Sequence, residues 1–333
     1  MRRIVNYIQN SELQTIKPGW PGTPLTADGR FVNHEFPFIP RLWDVLKWKW
    51  GPQPQKLEKQ QDTFRLQTYT DTRFLQQEED CIVWLGHASF YIRIAGIRML
   101  IDPIFFKVPF VKRYTPPPFP AEVFKDLDYL LISHDHQDHC QKKSVRAVIS
   151  GNPAITVLTG LRMETLLRQW IGNTKLQTAG WYQQYHTPAP LQIYFLPSRH
   201  WSRRGLNDTN KRLWGAFVLK SENKTIYFSG DTGYGDHFKT AHILFPHIDV
   251  AIIGAGAYKP EWFMSPAHIS PANAVIAANE LMAKVLIPMH YGTLDLSDEP
   301  VGEPLRELQR MQQEGLLHGS LHALQSGEVY TGW

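Results

Sequence analysis

Apolar residues fall along this chain in short runs, never in one long stretch, and the runs come in two batches. The runs Cys81–Leu85, Phe90–Ile94 and Arg98–Ile101 read as a meander of strands, with Ala95-Gly96 as a turn. Further strands are predicted at Tyr129–Ser133, Ile155–Leu158, Leu191–Leu196, Leu213–Leu219, Thr225–Ser229, Val250–Ile253 and Val285–Pro288. Helical spacing appears over Leu161–Trp170, over Pro271–Ala283 with Ser270 as N-cap, and over Glu303–Glu314, where Gly315 stops it. Two batches of strands separated by helices predict two packed sheets flanked by helices, an α/β sandwich. No internal repeat and no low-complexity tract interrupts the pattern.

Residues 1–77 follow a different pattern. They are rich in Pro and Trp, with turn dipeptides at Pro18-Gly19, Pro21-Gly22 and Asp28-Gly29. They read as an aromatic-rich extension packed on a main domain of residues 78–333. Within the extension, Leu42, Leu46 and Trp50 fall at helical spacing, beside Trp43, Trp48, Lys47 and Lys49. A basic, aromatic, amphipathic helix can lie in a membrane interface. The commoner use of such a face is to pack on a protein core.

Composition narrows the class. A chain of 333 residues with 43% hydrophobic content can bury a large core. The net charge of +4 is mildly basic and does not reach the Lys/Arg density of a dedicated nucleic-acid binder. Only two cysteines are present, Cys81 and Cys140, so neither a disulfide framework nor a thiolate zinc site is expected. The first residues carry no apolar signal core, and no stretch approaches the roughly 20 apolar residues of a spanning helix. The expectation is a cytoplasmic protein, with peripheral contact at a membrane allowed.

The candidate chemistry starts at residues 134–139, His-Asp-His-Gln-Asp-His, which directly follow the apolar run Tyr129–Ile132. Imidazoles and carboxylates crowded at a strand end are poor packing material but good ligands for zinc-like ions. Downstream, His200 follows the run Leu191–Leu196, Asp231 follows Thr225–Ser229 in a glycine-rich turn, and His290 follows Val285–Pro288. Each would be presented at a sheet edge toward a shared cleft. Singly, a histidine after a strand is more often structural. Arg199, Arg203, Arg204, Lys211 and Arg212 surround His200; they suit either an anionic headgroup or a solvated loop.

Together and in this order, these residues resemble the metallo-β-lactamase superfamily, with its His-x-His-x-Asp-His, His, Asp, His pattern. The resemblance implies a four-layer αββα sandwich. It implies that His134, His136 and His200 hold one metal, that Asp138, His139 and His290 hold a second, and that Asp231 bridges them. Two zinc ions are expected, with iron and manganese as alternatives. Within the superfamily the chain resembles N-acylphosphatidylethanolamine-hydrolysing phospholipase D. The shared stretches are Gly29-Arg-Phe-Val-Asn33, Trp84-Leu-Gly-His-Ala88, Asp102-Pro-Ile-Phe105, Leu131–His139, Gly230-Asp-Thr-Gly-Tyr234 and Gly256–Met264. This implies a zinc-dependent phosphodiesterase that uses water ionised between the metals, with His268, Asp138 and Asp231 serving turnover. At Ala267 the chain departs from the family, which carries glutamine there. His87 resembles a buried supporting position and is not counted as a ligand.

The expected partner is a phospholipid or another anionic ester substrate, with no nucleic acid; a homodimer is allowed. The same cluster would also serve a lactonase-type hydrolase acting on a small or sugar-phosphate substrate. From another class, it would serve a metal-binding interaction protein without activity.

Overall fold

The computed structural model describes residues 4–33 and 41–333. The first three residues of the charged start and residues 34–40 of the N-terminal region lie outside that description. Two mixed sheets carry the fold. The first has seven strands in the order Val329–Tyr330, Cys81–Trp84, Phe90–Ile94, Ile97–Ile101, Tyr129–Ile132, Thr156–Gly160 and Lys175–Ala179. Its first four strands pair antiparallel and the rest run parallel. The second has eight, in the order Ser320–Leu321, Val285–Met289, Val250–Gly254, Thr225–Phe228, Ala216–Lys220, Gln192–Leu196, Gln183–Gln184 and Gln14–Thr15. Here the first four strands are parallel and the others antiparallel.

Central strands such as Tyr129–Ile132 and Val250–Gly254 are buried throughout, as strands covered on both faces must be. One core lies between the sheets, where the rings of Phe90 and Phe228 meet edge to face at 6.1 Å. A second lies outside the seven-stranded sheet, where Val145 and Val148 of helix Lys142–Gly151 and Leu167 of helix Glu164–Ile171 cover Leu100, Leu130 and Val157. Helices His237–Leu244, Pro271–Glu280 and Glu303–Gln313 pack on the other sheet. The layers are helix, sheet, sheet, helix, as the resemblance implies.

Local signals place several boundaries. Ala95 and Gly96 are both left-handed (φ 52° and 78°), which suits a tight hairpin turn, and Ile94 faces Ile97 across it. Ser270 accepts a hydrogen bond from the Asn273 amide and Pro271 opens the helix behind it. Other boundaries differ from expectation. Leu213–Leu219 forms a strand only over Ala216–Lys220, and the helix predicted over Leu161–Trp170 begins at Glu164. The N-terminal region is woven into the rest. Gln14–Thr15 extends the second sheet, and Thr23–Thr26 pairs with Ile4–Ile8. Among the described residues, no helix is long and apolar enough to cross a membrane.

Candidate metal centre

The parallel strands of both sheets deliver their C-terminal ends to one crevice, where open α/β sheets place their chemistry. Residues 134–139 leave Tyr129–Ile132. Asp231 follows Thr225–Phe228 and His290 follows Val285–Met289. Gly230 makes the turn before Asp231 with φ 56°, and a Cβ there would stand 2.7 Å from the Gly215 carbonyl. His290 is itself left-handed (φ 67°), and its amide donates to the His87 carbonyl. Non-glycine backbone in this region is strained and tends to mark a functional turn.

The structure brings the seven expected ligands together in two groups. One is His134, His136, His200 and Asp231; the other is Asp138, His139 and His290 together with His87, and in each the ligand atoms lie within 4.8 Å of one another. Asp231 stands between them with divided loyalties. Its Oδ1 is 3.2 Å from His139 Nε2 and 3.3 Å from His290 Nε2. Its Oδ2 is 3.8 Å from His200 Nε2 and 4.0 Å from His134 Nε2. One oxygen facing each group is the geometry a bridging carboxylate needs. His268 is 3.8 Å from the same Oδ2 through Nδ1 and remains partly exposed at the rim.

Hydrogen bonds around the groups aim the imidazoles. Buried Asp102 accepts from His139 Nδ1 at 2.8 Å and from the Ser133 hydroxyl at 2.5 Å; Ser133 Oγ in turn accepts from His134 Nδ1 at 2.9 Å. His200 Nδ1 donates to the Ala267 carbonyl at 2.9 Å. With Nδ1 carrying the proton, each Nε2 lone pair points inward, the tautomer a metal requires. Because Ala267 acts through its backbone, its departure from glutamine leaves this contact intact. His87 Nε2 donates to Asp138 Oδ2 at 3.0 Å.

Asp102 was not singled out by sequence reasoning, whereas His87, read as a buried supporting position, is buried and bonded to Asp138. Both lie inside the shared stretches and both have left-handed backbone, but a lone Asp or His carries no spacing signal. Asn33 was missed too. Its side chain grips the His200 backbone, accepting from the amide at 3.3 Å and donating to the carbonyl at 2.7 Å.

Two of the basic residues near His200, Arg204 and Arg212, tie the loop to the first motif through their side chains. Arg212 is buried and pairs with Asp135 at 2.7 Å and with Asp208. The Arg203 amide donates to Asp135 Oδ1 at 2.9 Å, and Arg204 donates to the Asp135 and Cys140 carbonyls. Asp135, between two ligand histidines, thus ties the His200 loop to the first motif. Of the five, Lys211 is exposed to solvent.

Electrostatics and unmet hydrogen bonding both call for cations. Burial would raise the Asp231 carboxyl, yet His139 and His290 hold it well below the usual range. Burial would lower His290, but Asp231 and Asp138 push it up to about 9, and His139 rises well above its ordinary value through Asp231 and Asp102. Burial carries His134 and His200 well below theirs. The Nε2 atoms of His134, His136, His139 and His290 are buried without a hydrogen-bond partner. Buried imidazole nitrogens gathered around a shared carboxylate, with no thiol among them, fit two ions of the zinc, iron or manganese kind.

The chain is similar to known proteins in sequence and in fold. Residues 97–291 match the family described as the beta-lactamase superfamily domain. The N-acyl-phosphatidylethanolamine-hydrolyzing phospholipase D 1 of Caenorhabditis elegans is 32% identical over 268 residues, covering 74% of each chain. The mitochondrial protein of that activity from Saccharomyces cerevisiae is 31% identical over 243 residues, 70% of this chain and 52% of that one. The metallo-beta-lactamase fold protein YhfI of Bacillus subtilis superposes with a TM-score of 0.53 at 18% identity, covering 75% of this chain and 99% of YhfI.

Proposed function

From the premise that this chain belongs to the metallo-β-lactamase superfamily of metal-dependent hydrolases, we propose that it cleaves N-acylphosphatidylethanolamine-type phospholipids as a zinc-dependent phosphodiesterase of the phospholipase D type. The observation that carries this reading is the 32% identity with a phospholipase of that name, which covers 74% of the chain. Water adds to phosphorus, the P–O bond to the N-acylethanolamine breaks, and the departing alkoxide takes up a proton.

Two ions held by the seven ligands would activate water at neutral pH and neutralise charge on the phosphoryl oxygens. The chain's own groups supply the rest. Asp231 and Asp138 hold the imidazoles in register. His268 is neutral at working pH, because burial lowers it to about 4 against the pull of Asp231. A neutral imidazole beside the site is an N–H donor, suited to orienting a phosphoryl oxygen more than to storing a proton. The Gly256–Met264 stretch sets its height: the His268 amide donates to the Met264 carbonyl at 2.8 Å, and the carboxylate of Glu299 accepts from the Ala257 and Lys259 amides.

The test is a substrate panel. Zinc-loaded protein is offered N-acylphosphatidylethanolamine, phosphatidylcholine and a set of lactones. Release of N-acylethanolamine and phosphatidic acid from the first is expected; lactone opening without phosphodiester cleavage would sink the reading.

A further inference from the structure

The surface next to the metal centre has features that hydrolysis does not use. Helix Leu42–Trp50 leaves Trp43 69% and Trp50 77% exposed. Seven residues apart, they share one helical face, with exposed Lys47 between them. Trp48 sits elsewhere: its ring stacks on Phe263 at 5.2 Å and its Nε1 donates to Asp298 at 2.9 Å, which anchors the helix. A second prong is the loop after Phe105. Phe110 at its tip is fully exposed (107%) on left-handed backbone (φ 63°), between exposed Lys107 and Lys112.

The helix and the loop both contribute to an open cleft of about 550 Å³, walled by Trp48, Lys49, Lys56, Phe110 and Lys112, with Asp62, Asp295 and Asp298 also in its lining. Among the described residues, none of Lys49, Lys56 and Lys112 has a carboxylate within 4.0 Å; Lys49 and Lys112 lie over the rings of Trp48 and Tyr114. Tyr114, Lys59 and Asp295 line both this cleft and a small adjoining cavity that reaches His290. Phe110 and lysines without a carboxylate partner therefore gather beside the metal centre, next to the helix that carries Trp43 and Trp50.

We propose that this face docks the protein on an anionic phospholipid bilayer, with Trp43, Trp50 and Phe110 in the headgroup zone and Lys49, Lys56 and Lys112 against lipid phosphates. The proposal rests on the phospholipid reading above, since it supplies the partner that would carry substrate to the site. Tryptophan beside lysine suits that zone, and binding of this kind is reversible and salt-sensitive. A second copy of the chain is the weaker occupant, because a symmetric pairing would set these lysines against one another.

The test is co-sedimentation of the full, zinc-loaded chain with phosphatidylcholine vesicles, with and without phosphatidylserine. Wild type is compared with Trp43→Ala/Trp50→Ala/Phe110→Ala and with Lys49→Glu/Lys56→Glu/Lys112→Glu. Turnover of a dispersed short-chain N-acylphosphatidylethanolamine and the oligomeric state are measured on the same samples. Wild type is expected to favour the anionic vesicles, and each variant to lose about tenfold or more in partition while keeping short-chain turnover. Variants that partition like wild type would overturn the proposal, as would a change of oligomeric state with partition unchanged. If wild type sediments with the vesicles but hydrolyses no phosphodiester, the substrate reading fails and the docking face stands.

Discussion

Asp231 and Asp138 are both buried carboxylates among histidines, yet their surroundings assign them unequal work. Asp231 offers one oxygen to each ligand group, whereas Asp138 faces only His87, His139 and His290 through Oδ2. Asp231→Asn is therefore expected to cost both ions and more than about 100-fold in turnover, since even outer partners of a metal cost about 10–100-fold. Asp138→Asn should keep the ion at His134, His136 and His200. Metal analysis of the two variants checks this; full metal content in Asp231→Asn would remove its assignment as the bridge. His268 makes a contrasting case. It lies 3.8 Å from Asp231 and closes a further tight group with Asp231 and His290, but it stands outside the seven ligands that the resemblance implies, so His268→Ala should retain wild-type metal content and lose about 100-fold or more of hydrolysis. Equal metal loss in His268→Ala and His290→Ala would refute that division. At this scale, legibility depended on clustering. Four of the ligands lie within six consecutive residues and announce themselves. Asp102 reaches His139 from 37 positions away, and only the sheet brings the two side by side.

At the scale of elements, the central strands were legible because their apolar runs are short and β-branched or leucine-rich, and three of them, Tyr129–Ile132, Thr225–Phe228 and Val285–Met289, end just before residues of the site. The strand Lys175–Ala179 and the helix Lys142–Gly151 were not. One is an edge strand with polar side chains, and the other opens on Lys-Lys-Ser and buries little beyond Ser144, Val145 and Val148. The helix Leu42–Trp50 was legible as a helix but not in its orientation. Its inward contact is Trp48, while Trp50, placed in the apolar stripe by spacing, faces solvent. The loop carrying His200 makes the sharpest test of element-level reasoning. Its basic residues look like a ligand-binding patch in sequence, yet Arg212 is committed to a buried pair with Asp135. Removing one partner strands the other charge, so Arg212→Leu is expected to destabilise the fold by about 3–5 kcal/mol. A denaturant midpoint unchanged from wild type would show the pair to be dispensable.

For the molecule as a whole, the metal centre is the place where two sheets, an N-terminal segment and a C-terminal helix layer are held to one geometry, and its charge balance links folding to metal. Without ions, the carboxylates of Asp231 and Asp138 keep protons on His139 and His290, the latter up to about 9. A histidine must be deprotonated to ligate. A histidine held above its ordinary value keeps its proton in the metal-free protein, so zinc uptake at pH 7.5 expels the proton of His290 and competes with that of His139, and apparent affinity rises with pH. The raised His290 stabilises the metal-free fold below the ordinary histidine range, and that contribution is lost as pH climbs through about 9. Titration calorimetry of zinc into metal-free protein, run at pH 7.5 in buffers of different ionisation enthalpy, should report about two ions bound and about two or more protons released per chain, from the ligand histidines and from the water that the ions would ionise. Uptake with no proton release would mean that His139 and His290 are neutral before metal arrives, and that the cation the crevice calls for is not being supplied by its own histidines.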